Sequence, residues 1–280
     1  DACDLGAKIV GEGANLGFTQ KARIEYNLHG GCINTDAVDN SAGVDTSDHE
    51  VNIKILLNAV MKAGKLDASA RNTLLASMTD EVGELVLVDN YRQNQALSIM
   101  ESMSVDRIGS FTHFIRTLEQ QGLLDRAIEF LPSDAELSDR GAKGQGLTRP
   151  ELSVLLSYDK IVIFNQLLES DVPEDPFLSK ELLRYFPQAL QDNYASYMQN
   201  HRLRREIIAT SVTNSLVNRM GSTFLMRMQE DTGKTPAQIA KAYTIVRELM
   251  KARNYWSEID KLDGKVIEKI QIQALTGIWH

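Results

Sequence analysis

Asn40-Ser41-Ala42-Gly43-Val44-Asp45-Thr46-Ser47-Asp48-His49-Glu50, read together with Gly11-Glu12-Gly13-Ala14-Asn15 upstream, is the stretch on which the fold turns. Lys8-Ile9-Val10 is a short β-branched run that breaks into glycines, the pattern of a buried strand entering a loop. Ile33-Asn34-Thr35-Asp36 repeats the arrangement and leads into Asn40, so a second strand is expected over Cys32–Ala37. Small and amide residues at the ends of two adjacent strands leave room for a flat ligand. Their neutral side chains can bind its polar edges, and open α/β sheets hold ligands outside the carboxyl ends of their strands. Beyond Glu50 nothing reads as a sheet.

The chain has 280 residues, 43% hydrophobic and 24% charged, which is the make-up of a globular protein large enough for one or two cores. A formal net charge of -8 argues against a general nucleic-acid binder, which carries a basic excess. The two cysteines, Cys3 and Cys32, form no CxxC pair. They suggest free thiols in a reducing compartment, with a Cys3–Cys32 bridge left open. No apolar run is long enough to span a membrane, so no membrane partner is expected and the cytoplasm is the expected location. The five histidines, at 29, 49, 113, 201 and 280, are scattered and suggest no metal site.

Gly11, Gly13 and Gly17 after a strand invite a dinucleotide-fingerprint reading, with a helix-like Phe18–Leu28 next and Asp36 where a ribose-binding acid would stand. The third glycine comes one position late, and no further βα unit follows Asp36. The beginning of such a fold needs strands downstream; its end does not. The expected fold is therefore mainly α: the remnant of an α/β Rossmann-type sheet at the N-terminus, then a multi-helix C-terminal domain. The uncapped apolar end at Ile278-Trp279-His280 and the few strands suggest a C-terminal portion of a longer enzyme.

Two motifs resemble those of glutamate dehydrogenases. Gly13-Ala14-Asn15 with Thr19 is similar to the family's GAN loop, and Ile33, Asp36, Asn40, Gly43-Val44, Ser47 and Glu50 follow its next segment in order and spacing. Glu12–Gly17 with Asn40–Glu50 most resembles the large bacterial NAD-specific branch, whose catalytic core is followed by a long helical region. Leu147-Thr148-Arg149-Pro150-Glu151-Leu152 and the stretch from His201 to Ile208 resemble that region. The family's loop proline is not evident in Leu16-Gly17-Phe18, and Ser41-Ala42 replaces its usual small pair.

The resemblance implies NAD as cofactor and glutamate or 2-oxoglutarate as substrate. It places Ala14 and Asn15 beside the nicotinamide, with Asn15 on the carboxamide. Asn40 would reach the nicotinamide ribose or amide, and Ser47 would donate to a substrate carboxylate. Neutral donors suit a hydride path because they add no titratable charge. The family's catalytic lysine and aspartate belong to motifs that precede these, so no catalytic residue is assigned and this stretch alone is expected to be inactive. Each role has a plain rival: Asn15 could cap a helix beginning near Gly17, and Ser47 with Glu50 could form a capping box for a helix over Asp48–Ala63.

The rest reads as helices. Val51, Ile55, Leu56, Val60 and Met61 make the apolar stripe of the first, and Asp67–Asp89, Asn94–Ser102 and Ser104–Gln121 follow. Ser133–Gln145, polar and glycine-rich, reads as a hinge. Thr148, Pro150 and Glu151 open a helix to about Glu169, and Leu178–Tyr185 is a short one. His201–Glu230 could be a single long helix bent at Gly221, with Arg202, Arg204 and Arg205 at its unfavourable end facing an acidic surface. Thr210, Ser211, Thr213, Asn214, Ser215 and Asn218 make it unusually polar, as a satisfied helix–helix contact would. A helix from Thr235-Pro236 and a last one over Lys265–Thr276, closing on Trp279, end the chain. The expected division is 1–50 as the end of a dinucleotide-binding domain, 51–140 as a following helical segment, and 141–280 as a helical C-terminal domain. The alternative function is a helical assembly or regulatory module, and a homo-oligomer is expected on either reading.

Overall fold

The computed structural model describes residues 2–277; the expected contact of the last helix with Trp279 lies outside them. After a 3-10 turn at Ala2–Asp4, strand β1 (Ile9–Val10) pairs in parallel with β2 (Cys32–Ile33), Ile9 opposite Cys32 and Val10 opposite Ile33. Helix α1 (Gln20–Leu28) makes the crossover between them. Every other element of the described residues is helical. Both strands are shorter than expected. Asp36 opens helix α2 (Asp36–Asp39) rather than continuing a strand, and its side chain accepts from the backbone N–H of Ala37. Ile9 is also not buried: 75% of it is exposed.

Helix α3 (Ser41–Lys62) starts earlier than the sequence suggests, with Asn40 at its N-cap, so Ser47 lies within it and caps nothing. Thr19, not Asn15, caps α1 and accepts from the N–H of Ala22. The buried face of α3 is His49, Asn52, Ile53, Leu56, Leu57 and Val60, while Val51 is exposed. Two polar members of that face hide its phase from a hydrophobicity reading.

Next come α4 (Ala68–Ser77) and the 24-residue α5 (Thr79–Ser102), which part at the buried Met78. The polar segment Asn90–Gln93 does not break α5. Helix α6 (Ile108–Gln120) buries Phe111, Phe114, Ile115 and Leu118 and stops at Gly122, whose φ of +69° only glycine adopts freely. Ser133–Gln145 proves to be mostly helix α7 (Asp134–Ala142): Ser133 and Glu136 close a capping box and Leu137 anchors it in the core.

Helix α8 (Arg149–Leu168) begins, as expected, in a capping box of Thr148 and Glu151 with Pro150 in its first turn. A 3-10 turn at Val172–Glu174 leads to α9 (Ser179–Tyr185) and α10 (Gln188–Met198). The long polar helix ends at Gly221, giving α11 (Arg204–Met220) and α12 (Phe224–Thr232). Arg205 finds its acid in Glu174 and also donates to the terminal carbonyl of Leu168 on α8 at 2.6 Å. Then α13 (Pro236–Leu249), α14 (Ala252–Asp260) and α15 (Glu268–Thr276) close the described chain. One continuous core, from Val38 to Ala240, joins α3, α5, α6, α8 and α11, whereas the sheet buries only Ala2, Tyr26 and Ile33 together. Both cysteines are free and exposed. No helix of the described residues is long and apolar enough to cross a membrane.

Candidate functional site

The loop after β1 is held by acids. The Glu12 N–H donates to Asp39 at 2.8 Å and the Leu16 N–H to Asp36 at 3.1 Å, so both ends of α2 grip the loop. Glu12 is itself buried, accepting from the Phe18 N–H and from Arg23 at 2.8 Å each. Arg23 bridges onward to Asp36. With these N–H groups spent on carboxylates, the loop is a poor cradle for a phosphate. What it presents outward is side chain: Ala14, Asn15 and Leu16 are exposed, and Asn15 and Leu16 hold the left-handed φ values of +58° and +55°. Asn tolerates that region; leucine pays strain there without any burial in return.

Asn40 ends α2 and starts α3, and Ser47 lies seven residues on, two helical turns along the same face. Gly43 between them lies under the Asn40 amide: a Cβ there would meet Asn40 Oδ1 at 2.7 Å and oblige that side chain to turn. Asn15 and Ser47 are exposed and, like the Asn40 side chain, have no hydrogen-bond partner among the described residues. The structure thus ties Ala14 and Asn15, through Asp36, to the short helix that ends at Asn40. Ser47 stands farther out, at about 10 Å of helical rise. None of these four residues lines the cavity described below.

Behind it lies the anchor. Arg149, buried at the start of α8, donates to Asn34 Oδ1 at 2.6 Å, to Ser98 Oγ and to the carbonyl of Asn94, both at 3.0 Å. Asn34 in turn donates to Asp39 at 2.6 Å. The backbone of Arg149 donates to Asn27 on α1. Asn34 and Arg149 were not singled out for this role by the sequence; a lone Asn between two apolar strand residues and Thr35 was the available signal.

A second feature is a cavity of about 840 Å³ between α3, α5, α9, α11, α13 and α14. Asp45, His49 and Asn52 line it from α3; Thr210, Ser211, Asn214 and Asn218 line it from α11. The polar run of α11 is therefore only partly a satisfied helix contact: Ser215 accepts from Arg247, but Asn218 Oδ1 has no partner. Burial, reinforced by Asp89 and Asp48 and opposed by Lys160, pushes the Asp45 carboxyl up to about 7. Burial lowers the pKa of His49, which stacks on Tyr185 with ring centres 4.3 Å apart.

Residues 1–100 match the family described as bacterial NAD-glutamate dehydrogenase, catalytic domain, and residues 144–280 match glutamate dehydrogenase, C-terminal. The chain belongs to the bacterial NAD-glutamate dehydrogenase family. It is 51% identical over 275 residues to the NAD-specific glutamate dehydrogenase of Pseudomonas aeruginosa, covering 98% of this chain and 17% of that protein. The enzyme of the same name from Halomonas elongata is 49% identical over 278 residues, 99% of this chain and 17% of its own length. The Mycobacterium tuberculosis enzyme is 40% identical over 259 residues, 92% and 16% respectively. The chain thus spans about one sixth of the length of these glutamate dehydrogenases. The boundary between catalytic-domain and C-terminal matches falls in the helical body, well after α3.

Proposed function

We propose that this chain forms part of an enzyme for NAD-dependent oxidative deamination of L-glutamate to 2-oxoglutarate and ammonia, and that the surface of Ala14, Asn15, Asn40 and Ser47 is one wall of its nicotinamide–substrate cleft. One observation carries this reading: three neutral donors in the family's order, the exposed Asn15 and Ser47 and the half-buried Asn40, have no side-chain partner among the described residues, while Glu12, Asp36, Asp39 and Asn34 behind them are committed. That arrangement fits a nicotinamide better than a phosphate, because side-chain amides and not backbone N–H groups are on offer. NAD, when bound, supplies the hydride acceptor. This chain's residues would bind and orient: Asn15 the carboxamide, Asn40 the ribose or amide, Ser47 a carboxylate of the substrate.

The two paired strands and their α1 crossover support a Rossmann-type sheet edge, and the 75% exposure of Ile9 supports further covering of that edge in the whole protein. On this reading residues 1–50 close the dinucleotide-binding part, 51–140 follow it, and 141–280 form the helical C-terminal part. The divisions are functional, since α3 and α7 run across both boundaries. The 280-residue chain by itself should give no glutamate-dependent reduction of NAD; measurable turnover would refute that. In the full-length enzyme, Ser47→Ala should raise the KM for glutamate roughly tenfold, the loss expected for one hydrogen bond to a charged group. Unchanged kinetics in both Ser47→Ala and Asn15→Gly would remove the site assignment.

A separate observation favours an added assembly role for the helical part. Ile245, Val246, Leu249 and Met250 leave an apolar, exposed end on α13. Homo-oligomerisation through this end predicts that Leu249→Lys shifts the sedimentation profile to smaller species without moving the KM for glutamate.

A further inference from the structure

The buried contacts behind the loop have a direction. Arg149 can only donate, so its Nε, 2.6 Å from Asn34 Oδ1, fixes the oxygen of that amide toward α8. The amide nitrogen must then point the other way, where it donates to Asp39 Oδ1 at 2.6 Å and to Asn94 Oδ1 at 2.8 Å. Asp39 turns its second oxygen to the loop, and Oδ2 accepts the backbone N–H of Glu12 at 2.8 Å. Guanidinium, amide, carboxylate and backbone N–H thus stand in series from the start of α8 to the loop that presents Ala14 and Asn15. Asp39 immediately precedes Asn40, so one carboxylate is joined to both pieces of the candidate nicotinamide wall.

Burial stiffens this series. Arg149, Asn34 and Glu12 are all more than nine-tenths buried, out of reach of water that could replace a lost bond. Arg149 is held from behind by Ser98 Oγ and the Asn94 carbonyl, both at 3.0 Å, so its fork cannot swing to follow a displaced Asn34. Arg149 and Asn34 are 115 residues apart in the chain. The position of the loop is therefore set from the helical body as well as from its own turns. Ser47 lies outside the series, two helical turns beyond Asn40.

Resting on the reading of the wall given above, we propose that Arg149 is a positioning residue for the coenzyme. Through Asn34 and Asp39 it sets the loop Gly11–Gly17 against Asn40, and so sets how the nicotinamide is held for hydride transfer. Its own bonds all end on protein groups, and its effect on coenzyme passes through the loop.

Asn34→Asp in the full-length enzyme is the sharpest test. The new carboxylate keeps the bond from Arg149 and adds charge to it, so the tie to α8 survives. Toward Asp39 it offers an acceptor in place of a donor, and the grip on the Glu12 N–H should slacken. Hydrogen exchange measured without coenzyme should quicken in residues 11–18 and stay unchanged at the start of α8. The kcat should fall about ten- to hundredfold, the scale of a misplacement of about 1 Å, and the KM for NAD should rise about fivefold, while the KM for glutamate stays within about twofold. Arg149→Lys, which keeps the charge but loses the planar fork, should give the same kinetic split. Ser98→Ala removes a bond of Arg149 that leads away from the loop and should leave loop exchange and kinetics as in the parent.

Unchanged loop exchange in a folded Asn34→Asp would overturn the proposal at the series of bonds. Quicker loop exchange with unaltered kinetics would overturn it at the site reading beneath it. An equal kinetic loss in Ser98→Ala would overturn it as well, because Arg149 would then matter only as general support of the fold.

Discussion

The N-terminal forty-seven residues and the helical body differ in how they treat polar side chains. In the body, charge is closed on itself: Glu181, buried under α13, meets Arg247 at 2.7 Å, Arg184 at 2.8 Å and Arg253 at 3.0 Å. In the N-terminal segment the acids Glu12, Asp36 and Asp39 fix the loop, but the side chains at its tip face outward and bond to nothing among the described residues. The cores differ likewise, three buried residues beneath the sheet against a continuous helical core. A segment with so little core of its own is held mainly by what it is tied to. Polar groups that are internally satisfied describe architecture; those left over describe what the chain binds. Unpaired buried atoms do occur in the body, among them Asp159 Oδ2, Gln166 Oε1 and Arg227 Nε.

The tie between the two regions is Arg149, and removing it is the strongest way to break the comparison. Arg149→Ala would leave Asn34 Oδ1 and the Asn94 carbonyl without their donor and Glu101 without its cation. We expect a loss of about 3–5 kcal/mol, the cost of breaking a buried, hydrogen-bonded charge. Hydrogen exchange should rise first in residues 2–35. If α8 and α11 exchanged faster to the same degree, the two regions would be one cooperative unit and the contrast would fail.

Glu181→Gln tests the opposite claim, that the body is closed. Burial works against the Glu181 carboxylate, yet Arg247, Arg253 and Arg184 together hold its pKa below the ordinary value. The sign follows: a depressed folded pKa contributes stability that is present above the unfolded value near 4.5 and is lost as pH falls through the lower folded one. The variant should be destabilised by about 2–3 kcal/mol at neutral pH, with the difference shrinking in acid. Denaturant titrations at several pH values read it directly.

Much of the body was legible because its signals are local. Thr148, Pro150 and Glu151 announce α8; Gly221 and Gly122 end their helices; the stripe from Phe111 to Leu118 lies in the core. What escaped were features decided by tertiary contact. The start of α3 was missed because Ser47 and Glu50 imitate a capping box inside a helix already under way, and its buried face because His49 and Asn52 are polar: His49 stacks on Tyr185, and Asn52 donates to Tyr185 and accepts from His201 through its backbone, partners 133 and 149 residues away. Ser133–Gln145 looked like a hinge because its composition is polar, but one buried Leu137 and a capping box suffice to make it helix. Asn15, Asn40 and Ser47 could be named because their motifs lie within single stretches, while the cavity needed six elements to come together and no single stretch foretold it.

Asp45 offers a pH test of that cavity independent of any ligand. Its carboxyl titrates at about 7 when folded and near 3.8 otherwise, so the folded chain holds the extra proton between these values. Stability from this group is therefore full below about pH 4 and declines as pH rises through 7. Asp89, Asp48 and Lys160 face it, and His49 stands 3.7 Å away with a lowered pKa of opposite pH sign. Comparing Asp45→Asn with the parent isolates the carboxyl. The variant should be more stable by about 1–2 kcal/mol near pH 8, a figure reduced for water access, and should lose that advantage near pH 5. A constant difference across the range would mean that Asp45 is already ionised and matched by a partner.

The smallest expected effect sharpens the N-terminal side. Asn15 sits at φ +58° with its amide outward, so Asn15→Ala mixes two losses, the amide and a backbone cost of about 1 kcal/mol for an ordinary residue in the left-handed region. Asn15→Gly removes the amide but keeps the conformation, and its stability should stay within about 0.5 kcal/mol of the parent. If Asn15 exists to shape the loop, glycine should preserve the KM for NAD in the full-length enzyme and alanine should not. If it exists to hold a carboxamide, both variants should raise that KM alike while only alanine lowers the melting temperature. The second pattern is the one expected, because the loop's shape is already secured by Asp36, Asp39 and Glu12, and none of their bonds involves the Asn15 side chain.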